Sequence, residues 1–532
     1  MNKIIKAAAI AVLTIMLVFA VSCDDSFSGS FNPLDDPIDP NLPTIIYADS
    51  TLPNGKVGQS YSGNVASAQL PSDAEPAVIS YAIAFGSLPS GLTLSSAGII
   101  SGTPASGSAG TKSFTVRASA EGCNSKTAGF TITITAAGAS EPFAGGTGTP
   151  KTAWYTANTS ASAFTINDAD DLAGLAQLVN GGNRFSNKTI NLGANIDLDI
   201  YKTGTTFNSG YGWIPIGGLF YTEETFLGVF DGGGKTITNL SINHAKDYQG
   251  LFGLVGSGGM VKNLKLTNVN ITGYKFVGGV AGSNSDPTDD GGTIQNCSVE
   301  GSIAGVWDVG GVAGENYGGI ILNCSSSGEC SGIDNGDANG EIGGIAGYNS
   351  GYITNCYSTN NCSGVLSTGG LVGINDNDGT IENCYASGNV ISENCSGGLI
   401  GDFYVEGTVK NNVALNNIVY SFFSDDTLIG RVIAAADDNT DIVLQNNFAN
   451  QNMTVKYNWN GTTGTGTNKP LVKGGATIDG ADVTAGSSGG YNSQTWWSNT
   501  SPNGPGFAFG NTDDAPWKMS GGSSPLPILY WE

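Results

Sequence analysis

A four-residue phrase (hydrophobic, any residue, Asn, then Leu or Cys) recurs along this 532-residue chain and constrains its fold more than any other feature. The copies are Ile237-Thr-Asn239-Leu240, Val261-Lys-Asn263-Leu264, Ile294-Gln-Asn296-Cys297, Ile321-Leu-Asn323-Cys324, Ile353-Thr-Asn355-Cys356 and Ile381-Glu-Asn383-Cys384, with Val409-Lys-Asn411-Asn412 ending in Asn. Successive asparagines lie 24, 33, 27, 32, 28 and 28 residues apart. Gly-Gly-hydrophobic-x-Gly precedes the phrase at Gly278, Gly310, Gly343, Gly369 and Gly397, and Gly250-Leu-Phe-Gly-Leu-Val-Gly256 is a variant. A propeller blade needs about 40 residues, so this shorter period fits one coil of a parallel β-helix. Coils would stack about 4.8 Å apart. The longer steps place Ser285 to Gly292 and Ser331 to Gly340 in loops projecting from a corner.

Within the phrase, the hydrophobic residue and the Leu/Cys are three apart, which would put them on opposite faces of a straight strand. Both face the core only if the chain bends between them, and Asn tolerates the left-handed conformation that such a bend needs. The asparagines are therefore expected to form a stacked ladder. Cys297, Cys324, Cys356 and Cys384 stand where other copies have Leu240 and Leu264, and Cys330 and Cys362 stand where others have Ile303 and Val390. That exchange reads as buried small hydrophobes. A disulfide between stacked neighbours competes with free thiols; a coil spacing of about 4.8 Å exceeds the usual disulfide Cβ separation of about 3.8 Å and favours the thiols.

The repeats resemble the GLUG motif, most closely in Thr368-Gly-Gly-Leu-Val-Gly-Ile-Asn-Asp-Asn-Asp-Gly-Thr-Ile-Glu-Asn-Cys-Tyr-Ala-Ser-Gly388. Trp213-Ile-Pro-Ile-Gly217 and Phe226-Leu-Gly-Val-Phe-Asp-Gly232 look like the first coils of such proteins. The resemblance covers about 163–430 and implies a bacterial surface protein; members include adhesin-like chains and some IgA-directed proteases, whose separate peptidase domain has no recognisable counterpart in this sequence. Upstream, Leu88-Pro-Ser-Gly-Leu-Thr-Leu94 and Gly98-Ile-Ile-Ser-Gly-Thr-Pro104 resemble the signature of a bacterial immunoglobulin-like family. That resemblance implies a spacer or binding module. Cys123 has no partner in the module, so no antibody-type disulfide is expected.

Lys3 and Lys6 followed by the apolar run Ala7 to Val21 read as a secretion signal, since spanning a bilayer takes about 20 residues. Ala20-Val21-Ser22-Cys23 resembles a lipobox, with Ala where Leu is usual, and implies lipid on Cys23. Asp24-Asp25 resembles a retention signal in one bacterial group and a surface-export signal in others, so the leaflet stays open. The partition is a signal peptide at 1–22, a tether at 23–43, an Ig-like sandwich at 44–136, a linker at 137–162, a β-helix at 163–450 and a cap at 451–532. The expected fold is all-β: an Ig-like β-sandwich followed by a right-handed parallel β-helix. A helix within 166–179, N-capped by Asn167 or Asp168 with Leu172, Leu175 and Leu178 on one face, would close one end. Trp496, Trp497, Phe507, Phe509, Trp517, Leu526, Ile528, Leu529 and Trp531 would close the other.

Charge narrows the function. Asp and Glu outnumber Lys and Arg 45 to 21, which disfavours nucleic acid. Between Lys275 and Lys410 there is no Lys, Arg or His but there are 16 acids, a surface that repels the anionic polysaccharides of β-helix lyases. Paired carboxylates for a glycosidase would have to cluster in one groove. If each Cys points inward, Tyr357 and Tyr385 form an exposed stack able to bind sugar rings, joined by Trp307 and by Tyr317 and Tyr348 near other corners. Asp286, Asp289, Asp290, Asp376 and Asp378 sit in corner loops, as solvated surface or as Ca²⁺ ligands. The resulting expectation is a monomeric lipoprotein of the outer membrane, surface-exposed, binding glycans or host proteins. A glycosidase-type enzyme and a purely structural surface protein are the alternatives.

Overall fold

The computed structural model describes residues 42–52, 55–58, 61–72, 77–105, 107–135, 143–218, 224–285, 291–334, 340–434, 442–460, 465–486 and 489–532. Cys23 and its tether, and Asp286, Asp289 and Asp290, lie outside them. The chain divides into two compact units, 1–139 and 140–532.

The first unit is a two-sheet β-structure. Gly110–Ser119 pairs antiparallel with Lys126–Thr135 on one side and Ser80–Phe85 on the other. Tyr61–Asn64, Ile99–Gly102 and Leu92–Leu94 form the second sheet. Alternation puts Phe114, Val116 and Ala118 of one strand and Ala128, Phe130, Ile132 and Ile134 of its neighbour in the core, with Phe114 opposite Phe130 and Val116 opposite Ala128. The signature glycines have a steric reason: a Cβ on Gly91 would lie 2.1 Å from the Thr103 carbonyl, and one on Gly102 2.2 Å from that of Gly91. Cys123 is free.

The second unit is a parallel β-solenoid of about ten turns. Phe164, Ile190, Phe230, Val261, Ile294, Ile321, Ile353, Ile381, Val409 and Leu444 stack in register, one per coil. The phrase asparagines from Asn263 to Asn446 all adopt left-handed backbone, φ +52 to +60. Asn296 donates to Asn263 at 3.1 Å and Asn446 to Asn411 at 2.9 Å. The copy at 237–240 belongs to a different corner. Ile237 pairs with Leu266, and Asn239 accepts from Asn268. The 24-residue step is therefore not a coil, because two corners of the same coil both need a left-handed Asn.

Each coil runs from this broad sheet into two six-stranded strips. The middle strip stacks Lys275–Gly278, Trp307–Gly310, Glu341–Gly343, Ser367–Gly369, Cys395–Gly397 and Ile429–Gly430. The return strip stacks Phe252–Leu254, Ala281–Asn284, Ala313–Asn316, Ala346–Asn349, Val372–Asn375 and Ile400–Phe403. The third glycine of the repeat lets the strips touch backbone to backbone: a Cβ on Gly314 would lie 2.3 Å from the Val277 nitrogen.

Both thiol columns are confirmed as buried. Cys297 lies over Leu264, and Cys330 pairs with Ile303 and Cys362. All six thiols are free, and Cys356 and Cys384 accept main-chain N–H bonds from the preceding coil at 3.3 Å. A second asparagine ladder was not anticipated. Asn284, Asn316, Asn349 and Asn375 are fully buried and linked at 2.8, 2.7 and 2.6 Å. Each occupies the Asn of the repeat's Gly-x-Asn, a signal present in the sequence but read only as consensus.

The helix spans Ala169–Val179, capped by Asp168, which accepts from the Asp171 nitrogen at 2.9 Å. Its buried stripe is Leu172, Leu175, Ala176 and Val179, and Leu178 sits at the edge. Fully buried Asp170 accepts from Thr147 and Tyr201. The segment expected as a linker is thus folded onto the solenoid from residue 143. At the far end, buried Arg431 donates to the Asp479 and Gly480 carbonyls and pairs with Asp482 at 2.7 Å.

The aromatic tail does not close that end. It doubles back along the broad sheet as a strap. Asn446 donates to the Gly504 carbonyl, Asn296 to Asp513, and Ser325 to Glu532. Trp496, Trp497, Phe507, Trp517 and Leu529 pack on Tyr385, Val413 and Phe448. An apolar row on a sheet face can be covered from the side as well as from the end.

Candidate functional site

The strap changes the expected aromatic site. Tyr357 and Tyr385 do stack, with centroids 5.0 Å apart and planes 2° from parallel. They are not an exposed face: Tyr385 is 1% exposed, and Trp517 packs on both rings. The Tyr357 hydroxyl donates to Glu532 at 2.8 Å. An outward-pointing residue is exposed only where nothing else lies on the sheet.

The surface on the other strips is different. Outward residues of the middle strip form the column Phe276, Asp308, Glu341, Ser367 and Cys395. Those of the return strip form the column Ser283, Glu315, Tyr348, Ile374 and Asp402. The columns face each other, since Cys395 Sγ reaches Asp402 Oδ2 at 3.9 Å. They flank the floor made by the third glycines. Ser283 donates to Glu315 at 2.6 Å.

Four carboxylates therefore line one cleft. Burial, then repulsion from Glu341 and Glu315, pushes Asp308 well above the usual carboxylate range. Burial also raises Glu341 and Asp402. Burial and the adjoining Asp402 push the Cys395 thiol up to about 12. Glu341 is 7% exposed, and its Oε2 has no hydrogen-bond partner. The nearby cation is Lys275, whose Nζ lies 5.0 Å from the half-buried Trp307 ring. Tyr317 and Tyr348 stack at 6.2 Å beside the cleft. Such a cleft offers carboxylate acceptors, a retained proton as donor, and flat apolar rings.

Of the residues singled out in the sequence, Trp307 lies at this cleft. Asp376 lies beside it, bonded by Tyr348 at 3.3 Å and by the Asn377 main chain at 2.9 Å. Asp378 is exposed. Among the described residues no group of three His, Cys, Asp or Glu could hold a metal ion. Asp308, Glu341 and Asp402 escaped sequence reasoning because only the coil register brings them together. No helix among the described residues is long and apolar enough to cross a membrane.

Comparison with known proteins fits this architecture. Residues 43–135 match the family described as "Putative Ig domain". Residues 305–330 and 364–391 match the GLUG motif. The class is therefore an Ig-type module joined in sequence to a GLUG-repeat β-solenoid. Over 182 residues the chain is 35% identical to halomucin of Haloquadratum walsbyi, covering 34% of this chain and 2% of that protein. It is 39% identical to a "Putative Gly-rich membrane protein" of Evansella cellulosilytica over 106 residues, 19% of this chain and 11% of that one. The chain thus spans a small fraction of either relative. A SusE-like surface located polysaccharide binding protein from the Bacteroides thetaiotaomicron heparin utilisation locus is 21% identical. That match covers 25% of this chain and 21% of the other, at a TM-score of 0.13, where the folds do not superpose.

Proposed function

We propose that this chain is an adhesin-like surface protein that binds glycans or host-surface proteins in the acidic cleft, and that it acts as a monomer held at the outer membrane by lipid on Cys23. The buried Oε2 of Glu341 carries the reading: the carboxyl accepts from the main chain of Asp308 and of Glu341 itself, but Oε2 has no partner, and an unsatisfied buried acceptor costs about 1–3 kcal/mol unless a ligand supplies the missing donor. Sugar hydroxyls, amino sugars and basic side chains all supply one. The names of the two relatives, a halomucin and a membrane protein, support a surface setting. A panel of neutral and amino-sugar glycans and basic surface proteins, probed with the full chain, tests it. Glu341→Gln and Asp308→Asn should weaken binding at least tenfold while Tyr357→Phe leaves it unchanged. Equal binding by all three variants would refute the cleft.

One observation favours a second reading, hydrolysis of a neutral polysaccharide. Asp308 and Glu341 hold protons above the usual range, as a general acid requires. Repulsion between the two lets one give up its proton before the other, which a retaining mechanism needs for its nucleophile. Reducing ends released by wild type but not by Glu341→Gln would establish it.

A further inference from the structure

Where the strap ends on the early coils, the surface has the opposite character. Lys235, Lys262 and Lys265 lie on neighbouring strands there, outside the lysine-free stretch. A pocket of about 170 Å³ is lined by Gly233, Gly234, Asn263, Lys265 and Trp531. Lys262 is paired with Asp231 at 3.4 Å. Lys518 is bonded to the Tyr530 carbonyl. The Glu532 carboxylate accepts from Ser325, Tyr357 and the Leu529 nitrogen. Lys265 alone of this group makes no hydrogen bond or ion pair among the described residues; its Nζ lies 5.7 Å from the Trp531 ring. Trp531 Nε1 is likewise a buried donor without a partner. A Cβ on Gly233 or Gly234 would meet nothing within 4 Å, so the pocket wall is open space at these two glycines.

The geometry points to a binding site for a small carboxylate carried on a sugar-sized ring, a uronic acid residue, with the carboxylate on Lys265 and the ring beside Trp531. Lys265 makes no hydrogen bond and feels the Glu532 carboxylate only through space, so a carboxylate entering the pocket would supply the partner it lacks. The pocket is smaller than the roughly 300 Å³ at which sites for drug-sized ligands begin, which limits the ligand to about one ring. The aromatic wall favours an organic acid over an inorganic ion. Burial lowers the basicity of Lys265, and a bound carboxylate reverses that change. This site stands on observations separate from the acidic cleft.

The test is NMR of the Lys265 ε-methylene in the full chain, titrated with pH in the presence of D-glucuronate, D-glucose, acetate or sulfate. Glucuronate should shift the signal saturably and raise the pH at which Lys265 titrates, acetate should do so more weakly, and glucose should do neither. By calorimetry Lys265→Met should bind glucuronate at least tenfold more weakly, and Lys262→Met should match wild type. A Lys265 signal unmoved by glucuronate in the wild-type protein would overturn the site whether or not Lys265→Met folds. A response to sulfate but not to glucuronate would overturn the carboxylate assignment.

Discussion

The hydroxyl of Tyr385 donates to the main-chain carbonyl of Pro527 at 2.6 Å, joining residues 142 positions apart. Through that bond the tail is registered on the coils that precede it. The broad sheet is thereby closed to ligands over Tyr357 and Tyr385, and the acidic cleft on the other strips is left as the candidate surface.

The strap should be integral to stability. Tyr385→Phe keeps the ring and should cost about 1 kcal/mol for the lost bond. Tyr385→Ala should cost about 3–5 kcal/mol, because it empties a site packed by Trp497 and Trp517. Urea unfolding followed by tryptophan fluorescence measures both. Midpoints unchanged by Tyr385→Ala would mean the strap is not docked there.

The corner asparagines are a backbone requirement. Asn355 has φ +52, so Asn355→Val should destabilise by about 1–3 kcal/mol while Asn355→Gly costs far less. In the interior ladder, Asn316→Leu removes the partner of both Asn284 and Asn349 and should cost at least as much as Asn355→Val. Thermal denaturation ranks the three.

The acidic cleft and Asp170 should respond to pH in opposite directions. Asp308 and Glu341 have raised folded values, so their contribution to stability is full below the ordinary carboxylate range and is lost as pH rises through the raised values. Glu341→Gln should therefore raise the Tm at pH 8 and leave it unchanged near pH 4. For Asp170, burial is outweighed by bonds from the Thr147 main chain and the Tyr201 hydroxyl, which hold its carboxyl well below the usual range. Its contribution is present above the ordinary range and is lost as pH falls through the lowered value. Asp170→Asn should lower the Tm at neutral pH by an amount that shrinks in acid.

The thiol columns should be inert. Cys297, Cys324, Cys330, Cys356, Cys362 and Cys384 are buried and free, so a thiol reagent should label them only after denaturation. Labelling of Cys356 in the native protein would contradict the stacking.

Much of this fold is legible in the sequence because each coil repeats the same local demand. The Asn between Ile353 and Cys356 has to bend the chain, and Leu264 in place of Cys297 shows that the position is interior. What was not legible depends on register. The copy at Ile237 has the same phrase because its corner also needs a left-handed Asn, and only pairing with Leu266 reveals the offset. The strap was missed because aromatics such as Trp517 and Trp531 encode a cover but not its direction. Asp308 and Glu341 were passed over for the loop acids: on adjacent coils they become neighbours, and Phe276 holds the same column one coil earlier.

The most direct measurement is calorimetric titration of the full chain with the strongest ligand from the glycan and surface-protein panel, comparing wild type, Glu341→Gln and Tyr357→Phe. An affinity at least tenfold weaker for Glu341→Gln, with Tyr357→Phe equal to wild type, is the expected result. Loss of binding in Tyr357→Phe with Glu341→Gln unaffected would place the ligand on the broad sheet and contradict the account.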